Sequence, residues 1–438
     1  MFLSNVFNEI VTKYTSVIFS FINTIFVTLL LSDEGRGQYA LYTNSVQFIL
    51  LFLSFSVSSS LINKIANNKI KTGEALLSLI TYFLIISFVV VSIVYYFDFS
   101  QDIFRTSQNI VFVLIIAVTN FFASALNTVF FGVSFGLKNI KVPNLIKLGT
   151  IILFTLLVFL ATFLDRTPHQ AYLLIIIIQL FVQLLQLLSL CVWYRFSENM
   201  NFDLSLFIEI KKIYHILKEL FSFSRLVYIA SILMFFVYKA DFWIVDYYLG
   251  KKELGVYSLA VQLSQFILLL PAAIEGINLS EVSSNKEKGL KTTSWAIKII
   301  FYGSIISSGI LFLTSYLLID IIYGIEFHES IISLGILLLG IAPFAPASII
   351  SSYLIGVDRF KINLYAVIFS LGLTLILDFM LIPEYGIIGA SIATSIAFIT
   401  IITVLMAYFL KITDQKLKTI LTIKKEEIIT IRNLIFNK

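Results

Sequence analysis

The residues of this 438-residue chain best able to do chemistry are charges set inside apolar runs. The run at 221–249 holds four of them: Arg225, Lys239, Asp241 and Asp246. If that run is a membrane-spanning helix, each charge costs at least about 2.5–3.5 kcal/mol near mid-bilayer unless it faces protein or water. Lys239, Trp243 and Asp246 are spaced i, i+4, i+7 and share one helix face, while Asp241 points elsewhere. Lys13 and Lys147 lie toward the inner ends of their own runs. Glu275 follows Pro271 by four residues, and proline removes a backbone donor and can kink a helix there. Two chemistries fit this set. Lys13, Lys147, Arg225 and Lys239, with Asn23 and Asp241, could bind an anionic, polar ligand, and Asp246 and Glu275 could take up a coupling ion. The competing reading is structural: ion pairs that hold helices together, with Lys13 and Lys147 reaching to lipid headgroups. Asp320 and Asp378 fall near outer helix ends and read as interfacial.

Other chemistries find no support. His169, His215 and His328 show no ligand spacing, so no metal is expected. A single cysteine, Cys191, excludes an internal disulfide. There is no Gly-x-x-x-x-Gly-Lys-Ser/Thr loop for ATP, no cofactor is expected and no nucleic-acid partner is expected. The chain reads as a non-enzyme.

The elements that must position these charges are membrane helices. Hydrophobic residues make up 59% of the chain, charged residues only 13%, and mean hydropathy is +0.96. A soluble domain carries about 25% charged residues. Apolar runs lie at 8–31, 39–63, 75–97, 109–135, 142–164, 170–194, 221–249, 254–280, 292–323, 331–356, 361–382 and 386–410. A spanning helix needs about 20 apolar residues, so about twelve spans follow. Lys13 inside the first run, with no small-residue cleavage pattern after it, predicts a retained anchor and not a cleaved signal.

The chain also says one thing twice. Leu31, Gly37, Tyr39, Leu41, Gln47, Phe48 and Ile49 match Leu249, Gly255, Tyr257, Leu259, Gln265, Phe266 and Ile267 at a constant offset of 218. Gly136 and Lys141 match Gly356 and Lys361 at 220. Asp241 corresponds at offset 218 to Asn23. Doubled halves in a membrane chain mark a secondary transporter whose path lies at their interface. The expected fold is all-α and polytopic, with two six-helix bundles related by a pseudo-twofold along the membrane normal. The expected parts are an N-terminal half (1–195), a cytoplasmic amphipathic linker (196–219), a C-terminal half (220–410) and a cytoplasmic tail (411–438), the linker and tail lying on the inner leaflet.

Loop charge orients the chain. The even-numbered connections carry Lys64, Lys69 and Lys71; Lys138 and Lys141; Lys211, Lys212 and Lys218; Lys286, Lys288 and Lys291; and Arg359 and Lys361. The odd-numbered ones hold only Arg36, Arg105, Arg166, Lys251 and Lys252. Lysine and arginine stay on the cytoplasmic side, which places both termini there.

Three segments resemble one family: Leu31-Ser-Asp-Glu-Gly-Arg-Gly-Gln-Tyr-Ala40; Lys239-Ala-Asp-Phe-Trp-Ile-Val-Asp-Tyr-Tyr-Leu-Gly250 with Glu253-Leu-Gly-Val-Tyr-Ser-Leu-Ala260; and Leu381-Ile-Pro-Glu-Tyr-Gly-Ile-Ile-Gly-Ala-Ser-Ile-Ala-Thr394. They are similar to the signatures of O-antigen and polysaccharide flippases in the multidrug/oligosaccharidyl-lipid/polysaccharide exporter superfamily. The resemblance implies a bacterial inner-membrane protein of lipopolysaccharide or capsule synthesis. It would flip a polyprenyl-diphosphate-linked oligosaccharide repeat unit to the outer leaflet, with membrane lipids and a polysaccharide polymerase as neighbours. Polar residues within the spans, among them Asn120, Ser124, Asn127, Gln262 and Gln265, would then meet sugar hydroxyls or bond neighbouring helices. Two rivals stand beside it. A drug or cation antiporter of the same superfamily would want an acidic cavity, which the lysines oppose. A membrane polysaccharide polymerase would want a large outward loop, which the chain lacks.

Overall fold

The structure is a computed structural model that describes residues 2–54, 70–96, 110–137, 141–164, 167–197, 210–357 and 359–422, with 60, 61, 64, 65 and 139. Among the described residues, eight stretches are long and apolar enough to cross a bilayer, and two of them, Thr15–Phe52 and Lys361–Thr413, each hold two helices merged across a single non-helical residue. The first pair is α1 (2–31) and α2 (33–54), broken at Ser32, whose φ is 57°. Then come α3 (Thr72–Tyr96), α4 (Ile110–Gly136), α5 (Lys141–Ala161), α6 (Pro168–Ser197) and the 40-residue α7 (Ile210–Leu249). Next come α8 (Lys251–Gln265), a 3-10 turn at Phe266–Leu268 and α9 (Leu269–Ser284). It is followed by α10 (Lys286–Leu317), α11 (Ser330–Phe344) and α12 (Ala347–Gly356). The second merged pair, α13 (361–385) and α14 (386–413), breaks at Gly386, whose φ is 60°. A short α15 (Leu417–Leu421) ends the described chain. The protein is a polytopic, all-α membrane protein.

The chain divides into two compact units: Met1–Ser258 with Ile322–Glu326, and Leu259–Ile321 with Phe327–Lys438. Two large apolar cores lie in the first unit among the described residues. Val27 and Leu31 of α1, Tyr42 and Val46 of α2, Val158 of α5 and Tyr172 and Ile175 of α6 form one. Leu79 and Phe83 of α3, Phe121 and Phe130 of α4, Leu190 and Tyr194 of α6 and Leu220 of α7 form the other. Residues 210–219, read from sequence as part of a surface linker, are the opening turns of α7. Ile213 and Ile216 are buried, and Lys212 pairs with Glu74 at 2.9 Å while Lys64 pairs with Glu219. Ile213 packs on Leu77 of α3, and Ile216 joins the core that α3, α4 and α6 share. The rest of the linker, 198–209, and the tail beyond 422 lie outside the described residues.

In the second unit, small residues permit close helix packing. A Cβ on Gly340 of α11 would meet Ser395 of α14, and Phe344 stacks on Phe398 at 4.7 Å. At the α13–α14 turn a Cβ on Gly389 would overlap the Leu381 carbonyl, so that glycine is demanded by the turn. Asn278 donates to Ser352 at 2.9 Å and accepts from Thr293 at 2.9 Å, which closes a buried polar network. The start of the tail is tied down: Tyr302 donates to the Leu421 carbonyl at 2.9 Å and Ser294 to Gln415 at 3.0 Å.

Candidate functional site

The first unit builds its polar centre from the two copies of the repeat. Each copy ends one helix on left-handed backbone and begins the next at once. The residues are Ser32 before α2 and Gly250 (φ 86°) before α8, which correspond at offset 218. The two turns meet. A Cβ on Gly37 would overlap the carbonyl of Lys251, and one on Gly255 would overlap the carbonyl of Asp33. Position 37 corresponds to 255 and 33 to 251, so the contact maps onto itself when the copies are exchanged, as at an isologous interface. Each glycine Cα–H faces the opposing carbonyl, an arrangement worth about 0.5–1 kcal/mol per contact. The flanking charges complement each other: Asp33 and Glu34 in the first turn, Lys251 and Lys252 in the second. Lys252 Nζ stands 3.7 Å from Asp33.

Arg36 sits behind this contact, buried at 3% exposure. Its Nε donates to Ser258 Oγ at 3.1 Å, and a terminal guanidinium nitrogen donates to Thr28 Oγ1. One side chain thus ties α1, α2 and α8 together. From sequence alone Arg36 reads only as a loop charge. The repeat carried the missing signal, because its counterpart at offset 218 is the apolar Leu254.

Away from the turns the copies diverge in chemistry. Asp241 of α7 is 1% exposed, and the Tyr257 hydroxyl donates to its Oδ2. The matching pair in the first copy, Asn23 and Tyr39, is not joined in this way. Tyr39 donates to Gln179 of α6 at 3.2 Å, and Asn23 Oδ1 is buried with no hydrogen-bond partner among the described residues. Lys239 is half-buried with Nζ 4.6 Å from the Phe242 ring centroid, a cation–π distance. Trp243, on the face predicted to carry Lys239 and Asp246, joins a ring cluster. Phe48 of α2 lies 6.2 Å from it, 5.7 Å from Phe235 and 5.4 Å from Phe236. Asp246 is buried.

The remaining predicted residues scatter. Lys147 stands on the exposed side of α5 with Nζ 5.7 Å from the Phe131 ring centroid. Glu275 is half-buried on α9, past the 3-10 turn, in the second unit. The side chains of Lys13 and Arg225 lie outside the described residues. Asp378, read as interfacial, is fully buried in α13, because neighbouring helices and not span position decide burial; Asp320 does remain partly exposed, 2.9 Å from His328 Nδ1. Lys298 of α10, unremarked in the sequence, is also buried.

The profile of the polysaccharide biosynthesis protein family matches residues 2–276, which include both copies of the repeated turn. The chain belongs to that family. This polysaccharide biosynthesis protein is 31% identical over 147 residues to the uncharacterized membrane protein MJ1375 of Methanocaldococcus jannaschii. It is 26% identical over 203 residues to a probable low-salt glycan biosynthesis flippase, Agl15, of Haloferax volcanii. Those matches cover 34% and 44% of this chain, and 35% and 42% of the two relatives, less than half of each. In fold it is similar to the lipid II flippase MurJ in an inward closed conformation, with a TM-score of 0.68 at 18% identity over 96% of this chain and 93% of that one. An inward-facing multidrug resistance transporter of the MATE family gives 0.67 at 16% identity over 91% and 95%. A Pyrococcus furiosus transporter of the same superfamily, described as having a binding pocket of reversed polarity, gives 0.62 at 15% over 93% of each chain.

Proposed function

We propose that the protein flips a polyprenyl-diphosphate-linked oligosaccharide repeat unit, of O-antigen or capsule type, from the cytoplasmic to the outer leaflet by alternating access. The observation that carries this reading is the family match over 2–276, supported by the flippase relative and the MurJ-like fold. The physical problem is the headgroup, whose diphosphate and hydroxyls lose water on entering hydrocarbon at a cost of many kcal/mol. A polar path within the protein replaces that water while the polyprenyl tail stays in lipid. The membrane potential assists, because two negative charges moved outward gain about 4.6 kcal/mol per 100 mV at ~2.3 kcal/mol each. Within this reading Lys239, Lys13, Lys147 and Arg225 supply positive charge to the diphosphate, Asn23 and Asp241 line the path, and Asp246 and Glu275 are the groups for ion coupling. Both termini are cytoplasmic, and the membrane is the cytoplasmic one.

The nearly equal likeness to a MATE transporter keeps a second reading in view, export of a drug or organic cation. Deleting the gene in its host separates the two. The flippase reading expects loss of surface polysaccharide and accumulation of its lipid-linked precursor. Intact display with raised sensitivity to cationic drugs supports the antiporter instead.

A further inference from the structure

Helix α6 carries glutamines at 179, 183 and 186, spaced i, i+4, i+7, so the three share one stripe about 10 Å long. Each uses its carbonyl end to hold a hydroxyl from a different helix. Tyr39 of α2 donates to Gln179 at 3.2 Å, Ser124 of α4 to Gln183 at 2.8 Å, and Thr150 of α5 to Gln186 at 3.3 Å. None of the three is fully buried, and each carries an NH2 end with two donors.

A second stripe on α4 faces the first. Asn120 and Asn127 are seven residues apart, with Ser124 between them, and are 0% and 7% exposed. Both spend their donors on the protein: Asn120 on the Tyr42 hydroxyl at 2.9 Å and Asn127 on the Gln183 carbonyl at 3.2 Å. Their Oδ1 atoms are buried and accept no hydrogen bond among the described residues. A carbonyl left so in an apolar bundle costs about 1–3 kcal/mol until a donor reaches it.

The glutamines thus offer donors and the asparagines acceptors, and no residue of either stripe is charged. Such a surface does not suit a diphosphate. It matches groups that donate and accept at once without charge, which are hydroxyls and acetamido groups. We propose that this amide seam between α4 and α6 binds the sugar part of the substrate and selects for its glycan. The inference rests on the flippase reading and adds the place where the oligosaccharide is recognised.

The test uses purified protein in liposomes, with two probes: lipid-linked glycan extracted from the source cells, and bare polyprenyl diphosphate. The variants are Gln183→Met and Gln186→Met, which keep side-chain length and remove the amide. The expected result is a fall of about five- to tenfold in the ratio of glycan to bare-lipid transport for each variant, one hydrogen bond's worth. Elution as a single folded species on size exclusion guards against misfolding. If the amides serve only as interhelical glue, worth about 0.6 kcal/mol apiece, both probes change together and the ratio holds, which overturns the inference alone. Wild-type protein that moves neither probe overturns the flippase reading and this inference with it.

Discussion

Replacing Gly37 by alanine puts a methyl group where the Lys251 carbonyl now sits, and Gly255→Ala does the same at the Asp33 carbonyl. Neither obstacle is a flexible side-chain tip. Both are backbone in the first turn of a helix, so the turns themselves must move apart. Overpacking of this kind costs about 1–3 kcal/mol. At 1.4 kcal/mol per tenfold, the balance between joined and parted turns shifts about fivefold to more than a hundredfold toward parted. Spin labels at Glu34 and Lys252, both exposed, in a background with exposed Cys191 replaced, report the separation as a distance distribution. The two single variants should give the same longer population, because the contact is reciprocal. The double variant should add less than the sum, since both substitutions break one contact. Gly149→Ala is the control: its Cβ meets nothing within 4 Å. If Gly37→Ala and Gly255→Ala leave the short distance as intact as Gly149→Ala does, the reciprocal contact is not what holds the turns together.

Three further outcomes follow from particular side chains. Lys239→Ala should abolish surface polysaccharide at normal protein level, while Lys239→Arg keeps part of it, because charge survives and geometry does not; a fall in protein level rescued by neutralising Asp241 or Asp246 would instead mark Lys239 as structural. Tyr257→Phe should lower the melting temperature by removing the donor to buried Asp241, a loss of about 1–3 kcal/mol, and Tyr39→Phe should cost less because Gln179 is only half-buried. Reporter fusions near Lys69, Lys141, Lys211, Lys288 and Arg359 should all report the cytoplasm, and an external signal at Lys211 would reverse the orientation.

The polytopic character and the helical class were legible because they depend on length and apolarity, which need no neighbours. The repeat was legible too, Gly37 and Gly255 included. That the two glycines approach each other's turn was not, because periodicity gives the face of a helix but not its partner. The same limit hid Arg36, Asp378 and Lys298, whose burial is set by what packs over them. It also hid the glutamines of α6. They stand among Leu, Ile and Phe in an uncharged run, and only the hydroxyls supplied by α2, α4 and α5 show that they form one hydrogen-bonded stripe. Asp241 and Asn23 were matched by offset alone; that one pairs with its tyrosine and the other does not depends on Gln179 being near enough to take Tyr39.

Movement of a glycan headgroup across a bilayer is the activity we propose for this chain. Its most direct measurement is the fraction of lipid-linked glycan, extracted from the source cells and loaded into sealed proteoliposomes, that a membrane-impermeant glycosidase can reach. In protein-free vesicles only the outer-leaflet half is cleaved. With the protein present, cleavage should run toward completion, faster under an imposed potential that draws negative charge outward. Cleavage that stops at the protein-free level, with protein folded and inserted, would contradict the account.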